Sequence, residues 1–105
     1  MINYFNNFVV AWTDWNVLLD EKGGPNHVKN YIFVPMHFNT QTGELKYTNI
    51  YYYLWHFSKF VRPRAKRSIS SSSRDNLLTT AFLNPDIKIA VIVVNLTDKK
   101  LLYNL

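Results

Sequence analysis

Two tryptophans, an aspartate and an asparagine fall within five residues, Trp12-Thr13-Asp14-Trp15-Asn16, directly after the apolar run Phe8-Val9-Val10-Ala11. A buried barrel strand has this composition when it delivers aromatic and polar groups to a site at its carboxyl end. The chemistry such a set supports is recognition of a pyranose. One face of the sugar is a plane of C–H bonds that packs on an aromatic ring, and an amphipathic ring supplies that area at little entropic cost. On the residues alone an ordinary core tryptophan is the preferred reading of Trp15, with a sugar platform as the alternative. Asp14 is a lone carboxylate without a mate for general acid and base work, so it is expected to be a buried group that orients its neighbours.

Other chemistries find less support. His27, His37 and His56 have no ligand-like spacing and no cysteine accompanies them, so no metal site is expected. Arg62, Arg64, Lys66 and Arg67 form a basic run that serines follow. Such runs mark nuclear signals, nucleic-acid contacts or kinase sites, but also arise often by chance, and a solvated surface turn is preferred here. Asn95-Leu96-Thr97 is an N-glycosylation acceptor triplet.

The 105 residues amount to one small domain or a piece of a larger one. At 48% hydrophobic and 16% aromatic there is enough apolar material for a core, and wholesale disorder is not expected. No apolar run approaches the roughly 20 residues that span a bilayer. Met1-Ile2-Asn3-Tyr4 lacks the basic start of a signal peptide, so any targeting signal is expected upstream. With no cysteine, the redox compartment cannot be read. The net charge of +5 comes almost wholly from the basic run, since the other eight basic residues nearly balance seven acidic ones. A uniformly basic nucleic-acid binder is not indicated.

The elements that must position these residues read as follows. Residues 2–8 are expected to end a helix and 8–13 to form a strand. Residues 16–30 read as a long loop, punctuated by Gly23-Gly24-Pro25-Asn26. Residues 31–34 and 45–47 look like short strands around a turn at 40–44. Ile50, Tyr53, Leu54, Phe57, Phe60 and Val61 recur at helical spacing, which predicts a helix over 50–61 ended by Pro63. Serine-rich 68–73 reads as a connector. Strands follow at 77–83 and 87–96 around the Asn84-Pro85-Asp86 turn. One barrel strand and one helix cannot close a barrel, so the chain is expected to be part of a larger fold.

Three blocks in order, Trp12 to Asn16, Gly23 to Asn26, and Tyr53 with His56-Phe57-Ser58-Lys59-Phe60 and Pro63, resemble the C-terminal part of the glucosylceramidase group of glycoside hydrolase family 30. Pro35, Asn84-Pro85-Asp86 and the Val-rich strand ending in Asn95 extend the likeness over nearly the whole chain. His27, Trp55 and Arg64 depart from it, where the family usually has tryptophan, glycine and glycine. The resemblance implies an α/β plus β fold: the last strand and helix of a (β/α)8 TIM barrel over 1–62, then part of a β-sandwich side domain over 63–105.

It also implies a retaining β-glycosidase that cleaves glucosylceramide to glucose and ceramide with two glutamates about 5 Å apart. Both lie on earlier barrel strands, so no catalytic residue is expected in this chain, and the chain alone is expected to be inactive. Trp15 resembles the tryptophan against the glucose ring and Asn30 the asparagine that reaches a sugar hydroxyl. Trp12 and Asp14 resemble partners that shape the same wall. No cofactor is implied. The implied partners are a glycosphingolipid at a membrane surface, an activator protein and the N-terminal part of the barrel, in a lysosomal parent protein, without nucleic acid. One alternative is a small basic β-rich module that binds nucleic acid or anionic lipid through Arg62 to Arg67 and exposed tyrosines. That reading needs solvent-facing tyrosines, whereas the barrel reading expects Tyr51, Tyr52 and Tyr53 to be partly buried. A family 30 glycosidase acting on another β-linked glycan is the other alternative.

Overall fold

A computed structural model describes every residue except His27 and Asn30. In chain order the elements are α1 (Ile2–Asn6), β1 (Leu18–Asp20), β2 (Met36–Phe38), β3 (Leu45–Tyr47), α2 (Asn49–Phe60), β4 (Lys66–Ser68), β5 (Leu77–Leu83) and β6 (Ile89–Asn95). They fall into two units. Residues 1–12 and 59–105 make the first, and residues 13–58 the second.

In the first unit β4, β5 and β6 form an antiparallel meander. β5 is its central strand and is covered on both faces. Thr80 and Phe82 are buried on one face, opposite Ile92 and Ala90, and Leu77, Thr79 and Ala81 on the other. α1 lies against β5: the Phe5 ring meets Phe82 edge to face at 5.8 Å, and the Asn6 amide donates to the Thr79 carbonyl at 3.0 Å. The helix α2 ends at Phe60, just ahead of Pro63, as the sequence predicts. Arg64 then takes φ 68, the left-handed region that glycine favours, at a position where the family pattern has glycine. The turn survives the replacement. Of the basic run, Arg67 is not simply solvated, because its guanidinium lies 5.8 Å from the Phe8 ring centre.

In the second unit β1 pairs in parallel with β2, and β2 pairs antiparallel with β3. The β2–β3 connection is closed by Asn39, whose side-chain oxygen accepts from the Gln41 and Thr42 N–H groups at 2.9 and 3.0 Å. Gly43, at φ 72, donates its N–H to the Asn39 carbonyl at 2.8 Å. Val34 is fully buried and its carbonyl accepts from the Thr48 hydroxyl at 2.9 Å.

Five expectations change. Residues 8–13 form no strand: none of the described strands pairs with them, Phe8 turns the backbone at φ 69, and Val10 is 96% exposed. A strand needs a partner for its backbone groups, and apolar composition does not supply one. The strand expected at 31–34 lies instead at Met36–Phe38, because Pro35 has no N–H to give and the ladder starts after it. The expected 16–30 loop contains β1, and β4 includes the first serine of the expected connector. Tyr52 and Tyr53 are 50% and 56% exposed, more than the barrel reading anticipates; Tyr51 packs on Tyr47 at 4.6 Å and meets Tyr52 edge to face at 5.4 Å.

Candidate functional site

Trp12 closes the first unit and meets Tyr4 edge to face at 5.4 Å. It remains 40% exposed. Asp14 and Trp15 open the second unit. The Trp15 N–H donates to the Asp14 carboxylate at 2.9 Å, so this carboxylate holds the backbone of the residue it precedes. Asp14 is exposed, which corrects the expectation of a buried orienting group. It sits in an irregular segment that leaves its side chain in water. Asn16 follows at φ 54, in the left-handed region that asparagine tolerates better than most residues.

The indole of Trp15 is 68% exposed. Asn30, the expected hydroxyl-reading amide, and His27 lie outside the described residues.

The loop that follows is organised by Asp20, which the sequence presents only as a turn residue. Its Oδ1 accepts from the Lys22 N–H at 2.8 Å and the Gly24 N–H at 2.7 Å. Its own N–H donates to the Gly24 carbonyl at 2.6 Å, and its carbonyl accepts from His37 Nδ1–H at 2.9 Å. Glycine is required at position 23 and fits closely at 24. Gly23 has φ 78, and a Cβ on it would stand 3.2 Å from the Ile32 nitrogen. A Cβ on Gly24 would stand 3.0 Å from the Asp20 carboxylate. The Gly24–Pro25 peptide is cis. An aspartate three residues before a glycine pair is the signal that marks this side-chain-capped turn in the sequence.

Glu21 ties the same loop to the hairpin. Its carboxylate accepts from the Thr40 N–H at 2.9 Å and from the Thr40 hydroxyl at 3.0 Å. The Thr40 backbone bond, chiefly, holds the Glu21 carboxyl below its ordinary range. His56 donates through Nδ1–H to the Tyr52 carbonyl at 2.6 Å, a local helix contact. Among the described residues no group of three histidine, aspartate or glutamate side chains is placed to hold a metal. Asn95 is exposed, but its amide donates to the Lys99 carbonyl at 2.7 Å and its oxygen accepts from the Thr97 N–H and hydroxyl.

With these positions described, likeness to known proteins can be placed on them. Residues 1–61 match the family model for the glycosyl hydrolase family 30 TIM-barrel domain, and residues 65–105 match that for the glycosyl hydrolase family 30 beta sandwich domain. The chain is 36% identical over 88 residues to the lysosomal acid glucosylceramidase of Mus musculus, covering 83% of this chain and 17% of that protein. It is 38% identical over 81 residues to putative glucosylceramidase 3 of Caenorhabditis elegans, covering 77% of this chain and 15% of the relative. Among solved structures it resembles SrfJ from Salmonella typhimurium, with a TM-score of 0.74 and 38% identity over 78% of this chain and 18% of that one. The chain thus spans about a sixth of the length of the curated relatives it matches. It belongs to glycosyl hydrolase family 30, joining the C-terminal part of the TIM-barrel domain to the β-sandwich domain.

Proposed function

We propose that this chain supplies the sugar-facing wall of a retaining β-glucosidase that hydrolyses glucosylceramide to glucose and ceramide, in a lysosomal parent protein. One observation carries the proposal: Trp15 presents a 68% exposed indole within the segment that matches the TIM-barrel domain, next to a carboxylate that fixes its backbone. In the proposed enzyme the glucose ring packs on Trp15, and Trp12 and Asp14 shape the wall around it. Asn30 reads a sugar hydroxyl. The nucleophile and the acid/base, two glutamates about 5 Å apart, come from polypeptide outside these 105 residues. The names of the relatives support the substrate class. The lipid partner, an activator protein and the remainder of the barrel complete the proposed assembly.

The test grafts the chain into a working relative. In the mouse enzyme the matching C-terminal segment is replaced by this sequence, and kcat/KM is measured on glucosylceramide. Activity is expected. Within the chimera, Trp15→Ala is expected to lower kcat/KM on the order of a hundredfold, since misplacing a substrate by about 1 Å costs that much. Arg64→Ala, in an exposed turn, is expected to change stability by less than about 0.5 kcal/mol and to leave activity near that of the parent chimera. A folded chimera with no turnover overturns the activity. A Trp15→Ala variant that folds and keeps full efficiency overturns the site.

A further inference from the structure

The basic run begins between the two family matches and has no role in the glycosidase reading. It reads Arg62-Pro63-Arg64-Ala65-Lys66-Arg67 and is followed by Ser68. Counting back from the Arg67–Ser68 peptide bond, cations stand at the first, second, fourth and sixth positions. Serine endoproteases that cut after Arg or Lys read the cation through a carboxylate in a pocket. A guanidinium seats on such a carboxylate by paired hydrogen bonds. A cleft with acidic pockets for the first, second and fourth residues before the cut fits Arg67, Lys66 and Arg64 together. Lys99-Lys100 is the only other adjacent basic pair in the chain. Before its end, Thr97 falls at the fourth position and Asp98 at the third, which leaves one pocket without a cation and brings a carboxylate to an acidic cleft.

The fold offers this bond to such a cleft. β4 is three residues long and lies at the edge of its sheet, with β5 on one side. An edge strand is already extended, the form in which a peptide adds to a partner's strand. Past Ser68, residues 69–73 belong to no described helix or strand, and Ile69 is 92% exposed. Exposed, small and polar segments of this kind are where nicking concentrates. Ahead of the bond, Arg64 gives up its φ of 68 when the chain extends, which relieves a left-handed residue that carries a Cβ. Arg62, Arg64 and Lys66 are exposed, and Arg67 is half-buried. The Phe8 ring beneath the Arg67 guanidinium is itself 84% exposed, so that contact shields little. Phosphorylation fits the run less well. The serine with an arginine three positions ahead is Ser70, and its hydroxyl is buried without a hydrogen-bond partner.

We infer that Arg67–Ser68 is a processing site for a subtilisin-type endoprotease with acidic subsites, and that the cut chain stays together as a nicked protein. The protease serine oxygen adds to the Arg67 carbonyl carbon, the C–N bond breaks, and the serine proton passes to the departing Ser68 nitrogen. Water then hydrolyses the acyl-enzyme, which leaves a carboxylate on Arg67, a free amino group on Ser68 and the protease unchanged. Contacts across the cut hold the halves. Asn84 bonds the Phe60 carbonyl and the Arg62 N–H, the Asn6 amide bonds the Thr79 carbonyl, and Phe5 packs on Phe82. The inference rests on this segment alone and stands or falls separately from the glycosidase reading.

The folded 105-residue chain, taken from a single size-exclusion peak, is treated with a purified subtilisin-type proprotein convertase and the products are weighed by mass spectrometry. A cut after Arg67 divides 105 residues into fragments of 67 and 38. They are expected to co-elute without denaturant and to part in it, since no cysteine is there to link them. Arg64→Ala is expected to slow the cut on the order of tenfold or more, because one acidic pocket loses its charged partner. Trypsin needs only the first pocket, so it should cut the Arg67–Ser68 bond equally fast in parent and variant. That control separates recognition of Arg64 from a change in access. A native chain left intact although the heat-unfolded chain is cut, a cut after Lys100 instead of Arg67, or indifference to Arg64→Ala overturns the inference. So does an equal slowing with trypsin, or a fragment that leaves the shared peak without denaturant.

Discussion

Asn84 joins a helix end to a hairpin turn with one amide group. It donates to the Phe60 carbonyl at 2.9 Å and accepts the Arg62 N–H at 2.9 Å, from a site only 7% exposed. Helix ends leave carbonyls without intrahelical partners, and this side chain satisfies one of them. Asn84→Ala would leave two backbone groups unpaired near the interior. Each costs about 1–3 kcal/mol, so a loss of about 2–6 kcal/mol is expected, read as a drop in melting temperature. A variant within about 0.5 kcal/mol of the parent would mean that water replaces both bonds. The sequence shows Asn84 only as the start of an Asn-Pro-Asp turn. Its partners lie 22 and 24 positions away, and a single long-range contact leaves no periodic trace. Trp15 is different. Its type and its place beside Asp14 single it out from sequence, whereas its exposure is known only from the structure.

Among the elements, legibility follows length and partnership. The helix over 50–61 and the strand at 77–83 carry enough residues for their periods to show, and both form within a residue of the expected bounds. β1 is three residues long with one buried side chain, too short for alternation to register. The 8–13 run misleads because strand propensity describes a surface ready to pair, and pairing needs a neighbour. The connection between the Asp20 loop and the Asn39 hairpin supports a prediction at this scale. Glu21 has a carboxyl below its ordinary range, so its contribution is present above the usual glutamate pKa and fades as pH falls through the lowered folded value. Carboxyl-carbon NMR is expected to show the depressed midpoint. The Thr40 backbone N–H is the leading cause, with the hydroxyl a lesser one, so Thr40→Ala should keep most of the depression. A return to the ordinary glutamate range in that variant would assign the effect to the hydroxyl instead.

For the whole molecule, the decisive question is whether these residues can break a glycosidic bond unaided. A retaining enzyme needs one carboxylate as nucleophile and a second carboxyl that stays protonated long enough to give its proton to the leaving oxygen. The second must have a raised pKa, which burial or a neighbouring charge supplies. This chain has two glutamates, Glu21 and Glu44. Glu21 is pushed the opposite way, held ionised by Thr40 on an exposed loop, and its oxygens are occupied in tying that loop to the hairpin. Glu44 directly precedes β3 and is also exposed. Asp14 spends an oxygen on the Trp15 N–H, and Asp20 on the turn it organises. These carboxylates are thus committed to backbone or lie in water. On the proposed function these residues supply the wall of a sugar site, and the groups that do the chemistry come from elsewhere. The purified chain is therefore expected to release no fluorescent aglycone from a β-glucoside at mildly acidic pH, even at substrate levels that saturate its relatives. Turnover that co-elutes with the folded protein and survives repurification would show that a carboxylate pair forms here after all, with Glu21→Gln and Glu44→Gln as the variants to identify it.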